Sequence, residues 1–244
     1  MLEEVTGIVV SEQTYGEKSK IINLFTREKG IIGIMVKGGR SLKSPLRSVT
    51  GKLTYGKFNI FYKKDKLSNL NEVNIIDNFN NIRKSIELIS YASYLTDLAC
   101  QVARQRDDST IFDNLISSLL KLNDGLNPGV ITNILELKYL DNLGVLPMLD
   151  SCVECGSKDN IVTISGSRGG FLCKDCRQNE PIVSKKTLKL IRLYYYVDID
   201  KIDNISLDKT IVEEINSFLD DYYERYTGIY LKTKGFLKNL KIFN

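Results

Sequence analysis

Leu53-Thr54-Tyr55-Gly56-Lys57-Phe58-Asn59-Ile60-Phe61-Tyr62 is the longest strand candidate in the chain, and its reading decides the first third of the fold. It is rich in aromatic and β-branched residues, as a strand half-buried on a sheet should be. Shorter runs of the same kind precede it: Gly7-Ile8-Val9-Val10, then Ile21-Ile22-Asn23-Leu24-Phe25 after a turn at Tyr15-Gly16-Glu17. Ile31-Ile32-Gly33-Ile34-Met35-Val36 follows a turn at Glu28-Lys29-Gly30, and Glu72 to Ile76 closes the series. Five short strands in one small segment predict a closed barrel, and the OB-fold is the common five-stranded barrel that binds nucleic acid. A five-stranded SH3-like barrel gives the same pattern.

Helical spacing takes over near Ile82, with Ile86, Ile89, Tyr94, Leu95 and Leu98 on one face. Asp108-Ser109 offers an N-cap for a second helix through Ile111, Leu115, Ile116 and Leu119. Asn127-Pro128 supplies a cap and a first-turn proline for a third, which Gly144 stops. Ser184 caps a further helix through Leu188 and Ile191, and another carries Ile211, Ile215, Phe218, Leu219 and Tyr222. These stripes read as the core of a helical bundle.

Between the helices stand Cys152-Val153-Glu154-Cys155-Gly156 and Cys173-Lys174-Asp175-Cys176. Each C-x2-C turn aims two sulfurs at one point, and two such turns can close a tetrahedron of thiolates around one zinc ion. Four protein ligands fill every position, which marks a structural rather than a catalytic site. The chain has no histidine. Serine-histidine, cysteine-histidine and His-Glu-x-x-His chemistries are therefore excluded. Cys100, in an apolar helical stretch, reads as a buried and inert thiol.

The expected organisation is α+β and multidomain: an OB-fold barrel over 1–80, a helical domain over 81–149 and 181–244, and a zinc-ribbon-like insertion over 150–180. With 43% hydrophobic and 26% charged residues the composition is that of a soluble globular protein. No apolar run reaches membrane-spanning length and the acidic start is unlike a secretion signal, so a cytoplasmic protein with reduced thiols is expected.

The net charge of +4 is unevenly placed. Residues 1–80 hold thirteen basic and eight acidic groups, a surplus of five, which leaves the remainder at −1. Residues 37–64 contain Lys37, Arg40, Lys43, Arg47, Lys52, Lys57, Lys63 and Lys64 with no acid. Such a cluster repels itself, so a polyanion is the expected partner. Lys37, Arg40, Lys43, Arg47, Lys52 and Lys57 are the expected phosphate contacts. Tyr15, Tyr55, Phe58 and Tyr62 are candidates for base stacking. In an alternating strand Tyr55 and Phe61 share one face and Phe58 and Tyr62 the other, so one set is core. Lys37-Gly38-Gly39-Arg40-Ser41-Leu42-Lys43-Ser44-Pro45-Leu46-Arg47 lacks the order of a P-loop and reads as a mobile basic loop or a long plain connection. A second basic stretch, Arg225, Lys232, Lys234, Lys238 and Lys241, closes the chain.

Together these pieces resemble the bacterial RecO family of recombination mediators. The resemblance lies in Thr6-Gly7-Ile8-Val9-Val10 with Tyr15-Gly16-Glu17, in Leu24-Phe25-Thr26-Arg27-Glu28-Lys29-Gly30, and in Lys37-Gly38-Gly39-Arg40 with Ser44 and Leu46-Arg47. It continues in Glu136-Leu137-Lys138, Leu143-Gly144-Val145-Leu146-Pro147 and the four cysteines with Gly169-Gly170-Phe171-Leu172. The resemblance implies an N-terminal OB-fold, a helical domain, one structural zinc and no enzymatic activity. It implies binding of single- and double-stranded DNA, annealing of complementary strands, and work with RecR and single-strand-binding protein to load RecA, in the cytoplasm at the nucleoid. An RNA-binding or protein-interaction factor of transcription or translation, with the same barrel and ribbon, is the alternative.

Overall fold

The computed structural model describes residues 1–203 and 208–242. Its N-terminal part is a closed barrel of β1 (Leu2–Tyr15), β2 (Ser19–Thr26), β3 (Gly30–Val36), β4 (Tyr55–Phe61) and β5 (Ser68–Asp77). A ring of five strands cannot alternate direction all the way round, so closure needs a parallel pair. That pair is β3 with β5, joined at Ile34–Ser68 and Met35–Asn69. The ring order β1-β2-β3-β5-β4 is that of the OB-fold, which resolves the barrel type the strand pattern left open.

β1 belongs to both walls. Its first half pairs with β4, from Leu2–Phe61 to Ile8–Tyr55, and its second half with β2, down to Tyr15–Ser19. The register shifts between Val9 and Ser11, and a bulge there bends the strand and increases its twist. Leu53, at φ +64°, docks on the bend: its N–H donates to the Val9 carbonyl, and the Val9 N–H donates to the Thr54 carbonyl. The fourth strand therefore starts at Tyr55, two residues later than the apolar run suggests.

Val5, Val9, Ile22, Leu24, Ile34, Val36, Phe58 and Ile60 fill the barrel. Phe58 is fully buried, which corrects its candidacy for base stacking: the pleat sends residues 58 and 60 inward. Phe58→Ala should lower stability by about 3–5 kcal/mol, as a lost core aromatic does. Chemical denaturation checks this; a loss confined to DNA binding would contradict it. Tyr55 faces the other way, stacking on Phe79 at 6.4 Å and packing near Phe112. Phe25 meets Phe112 edge-on at 5.3 Å, and Arg27 forks onto Asp113 at 2.8 and 3.0 Å. Part of the barrel's outer face is thus covered by Phe79 and the start of α3 (Ser109–Asn123), and α2 (Ile86–Ala103) meets the segment before β4 where Ser93 faces Lys52. Contacts divide the chain inside α3, into Met1–Ile116 and Ser117–Asn244.

The second unit contains the rest of α3, α4 (Pro128–Asn142), the hairpin β6 (Ile161–Ser165) and β7 (Gly170–Cys173), α5 (Lys185–Tyr196), α6 (Lys209–Tyr226) and α7 (Lys232–Ile242). The Asn127 side chain accepts from the N–H groups of Gly129 and Val130, and Ser184 accepts from Thr187. Both act as the caps the sequence indicates. Gly144, at φ +74°, ends α4 with its N–H on the Asp141 carbonyl. Helix α4 is buried almost all round, with Ile131, Ile134, Leu135, Leu137 and Leu140 at its centre. No helix among the described residues is long and apolar enough to cross a membrane.

Helix α7 had no visible signal, because Gly235 interrupts it and its apolar face is short. A partly buried ion lock, centred on the buried Glu136, holds it. Lys234 reaches Glu136 on α4 at 2.9 Å and Asp220 on α6 at 2.7 Å, over the ring of Tyr223. Of the closing basic stretch, Lys234 is therefore internal, and the side chains of Lys238 and Lys241 lie outside the described residues. Burial works against the Lys234 ammonium, but Glu136 and Asp220 outweigh it and raise its pKa above the ordinary 10.5. A raised folded pKa means that this stabilisation is fully present through neutral pH and is lost only as pH climbs through the folded value. Lys234→Met removes the cation between two carboxylates and should cost about 3–5 kcal/mol. Urea unfolding at pH 7 measures it, and a change no larger than a surface substitution would rule the lock out.

Candidate nucleic-acid interface and metal centre

The candidate metal centre is built at the two ends of a hairpin. Cys152 and Cys155 lie before β6, Cys173 ends β7 and Cys176 lies in the turn after it. In the first turn the Gly156 N–H donates to the Cys152 carbonyl at 2.9 Å, and Gly156 takes φ +74°, a conformation glycine adopts without steric cost. In the second, the Arg177 N–H donates to the Cys173 carbonyl at 3.0 Å. Gly170 lets residues before Cys152 lie against β7: a Cβ there would stand 2.3 Å from the Met148 carbonyl oxygen. Leu172, Val153 and Ile161 pack the cluster from behind.

All four sulfurs lie within 4.8 Å of one another, and Cys155 and Cys173 are 3.8 Å apart. A disulfide needs about 2.05 Å. A tetrahedral ion with metal–sulfur bonds of about 2.3 Å needs sulfurs about 3.8 Å apart. The four residues therefore fit one closed, soft metal site. Burial opposes ionisation of Cys152, but N–H groups of Cys155, Cys173 and Glu154 outweigh it and lower its pKa to about 6. Cys176, hydrogen-bonded to Cys173 and Cys155, is pushed up to about 12. Cys152 ionises readily while Cys155 and Cys176 resist, and a bound cation would favour the four thiolates together. Cys100 belongs to no such group: burial in α2 pushes its thiol up to about 12, as suits an inert core residue.

The basic residues separate into two kinds. Lys37, Arg40, Lys43 and Arg47 are exposed on one segment joining β3 to β4 through the short helix α1 (Leu46–Val49). The segment is tied down rather than loose. The Arg40 N–H donates to the Lys18 carbonyl, its guanidinium donates to the carbonyls of Gly16 and Glu17, and the Gly39 N–H donates to Val36. The β1–β2 turn and the basic segment therefore form one surface, with Tyr15 half-exposed at its edge. Among the described residues none of these four cations has an acidic partner. Lys52 and Lys57 differ: Lys52 reaches Ser93 on α2 at 3.5 Å, and Lys57 pairs with Glu4 across β1 and β4 at 3.2 Å. Of the remaining rings, Tyr55 is covered by Phe79, and Tyr62 carries the Lys29 ammonium over its face at 4.2 Å. Sequence reasoning missed Lys20. It reads as an ordinary strand charge, yet it is buried, with Nζ 2.6 Å from Glu12 and 2.9 Å from the Thr50 carbonyl. Only the return of the chain thirty residues later covers it.

An OB barrel carrying this surface, joined to a helical unit with a four-cysteine centre, matches known proteins along its whole length. Residues 1–79 match the family description "Recombination protein O N terminal", and residues 83–235 match "Recombination protein O C terminal". The chain belongs to the RecO family. A DNA repair protein RecO of Bacillus subtilis is 35% identical over 99% of this chain and 96% of its own length. That of Halalkalibacterium halodurans is 36% identical with the same coverage, and one from Listeria monocytogenes is 31% identical over 98% and 95%. The resemblance carried by the glycine turns and cysteine pairs thus extends to both halves of the RecO sequence.

Proposed function

We propose that this chain is a non-enzymatic DNA-binding mediator of recombinational DNA repair. It binds single- and double-stranded DNA through the barrel over residues 1–80 and anneals complementary strands. With RecR it helps load RecA onto strands coated by single-strand-binding protein, in the cytoplasm at the nucleoid. The observation that carries the reading is the row Lys37, Arg40, Lys43 and Arg47, four exposed cations without acidic partners held on one ordered segment of an OB barrel. Phosphates are the partner that relieves their mutual repulsion. Lys52 and Lys57, already engaged within the protein, contribute less. Tyr15 is the ring best placed to stack on a base.

The insert over 150–180, which in sequence separates helical parts over 81–149 and 181–244, carries a metal centre that holds one zinc ion, since four thiolates favour a soft, four-coordinate cation. That ion supplies folding free energy and no catalysis. Strand annealing measured with and without cognate single-strand-binding protein tests the function. Annealing without ATP is expected in both; inactivity in both would remove the reading.

A further inference from the structure

A cavity of about 440 Å³ opens beside the basic segment, lined among others by Glu12, Thr14, Lys20, Gly39, Arg40 and Arg47. Its volume lies in the range of small-molecule sites, with room for about one nucleotide. Its floor is unusual in holding a charged pair at the end of a barrel. The Lys20 side chain is 8% exposed, and two of its N–H groups are used by Glu12 and the Thr50 carbonyl. A further N–H of that ammonium has no partner among the described residues, and neither does Glu12 Oε1. Both residues line the cavity and the Glu12 side chain is 47% exposed, so the unused donor and acceptor are open to a ligand there. The rim adds the Arg47 guanidinium, which forms no ion pair or hydrogen bond among the described residues, and the Arg40 nitrogens left over from its turn contacts.

Carboxylate and ammonium side by side present acceptors next to a donor. Among the bases, guanine offers the complementary edge: adjacent N1–H and N2–H donors beside the O6 acceptor. Adenine and cytosine offer one donor group there, and thymine one N–H between two acceptors. We infer that the cavity takes a single guanine nucleotide of a bound strand, its base edge on Glu12 and Lys20 and its phosphate on Arg40 and Arg47. The inference rests on the DNA-binding reading only for the claim that the nucleotide belongs to a strand. It adds a base preference to a barrel that otherwise holds phosphates without reading sequence.

The test titrates the full chain with dGMP, dAMP, dCMP and dTMP, following the backbone amides of Gln13, Thr14, Gly39 and Gly51 by NMR. The expected result is shifts at these amides, with dGMP bound at least about fivefold tighter than the others, the scale of one bidentate base contact. In Glu12→Gln, which keeps an acceptor for Lys20, the four affinities should converge. In Arg47→Ala all four should weaken together while their ratios hold. No shift at these amides, or no preference for dGMP in the unaltered chain, would overturn the inference whatever the variants do. A second arm compares an oligo(dT) strand with the same strand carrying one dG. Tighter binding of the dG strand assigns the site to a strand, while a dGMP preference without that gain overturns the strand assignment in favour of a free nucleotide. Failure to bind any oligonucleotide would instead defeat the DNA-binding reading, and the mononucleotide arm would still decide the cavity.

Discussion

Cys173→Ser is expected to release the metal and to destabilise the unit over residues 117–244 by about 5 kcal/mol or more. Structural zinc sites in small peptides carry apparent binding free energies of about 10–16 kcal/mol, and part of that is folding free energy. Cys173 sits where the loss is hardest to absorb: it ends β7, is almost fully buried, and packs with Cys152 and the fully buried Leu172. A serine oxygen there would be a poor ligand for a soft cation and a buried polar group besides. The same destabilisation should follow chelation of the unaltered protein and, on the proposal that the ion is zinc, reverse when zinc is added. Metal content and denaturant unfolding are the measurements. Full metal retention with an unchanged unfolding transition would exclude a structural role for the site. DNA affinity should change less than stability, because the proposed phosphate contacts lie on the other compact unit, Met1–Ile116.

Reversing Arg40, Lys43 and Arg47 together to glutamate should weaken single-strand binding by about a hundredfold or more at low salt. Each phosphate contact on a single strand contributes about 0.7 to the slope of log affinity against log salt, so losing three should flatten that slope by about 2. Titrations across a range of salt concentrations read both quantities. An unchanged slope would show that the phosphates are bound elsewhere. Arg40 also holds the Gly16 and Glu17 carbonyls, so some of the triple effect could come from a loosened turn. Lys43→Glu alone separates the two causes: Lys43 is exposed and makes no ion pair among the described residues, so its contribution is purely electrostatic. It should reduce the slope by about 0.7 without lowering thermal stability.

Several features were legible because their causes are local. Two C-x2-C turns bring sulfurs together by chain geometry alone, and the four atoms do converge. Asn127 and Ser184 cap helices because a side-chain oxygen reaches an N–H two or three residues away. Five short strands with turns between them point to a small barrel, and the acid-free run over 37–64 is a fact of composition.

The rest depends on residues far apart in the chain. Pattern alone could not choose between an OB-fold and an SH3-like barrel, because the parallel contact of Ile34 with Ser68 joins strands that strand order does not pair. Nor could it say which face of β4 is core. Tyr55 faces outward only because Phe79 and Phe112 arrive to cover it, leaving Phe58 to the interior. The burial of Lys20 waits on Thr50, and helix α7 waits on Glu136, ninety-eight residues before the lysine that anchors it. The sequence by itself determined most of the elements, the convergence of four cysteines that could hold a metal, and the sign of the surface charge, since each follows from neighbours a few residues apart. Tertiary structure decided which rings and charges remain available to a ligand, because burial depends on what the whole chain brings to the same place.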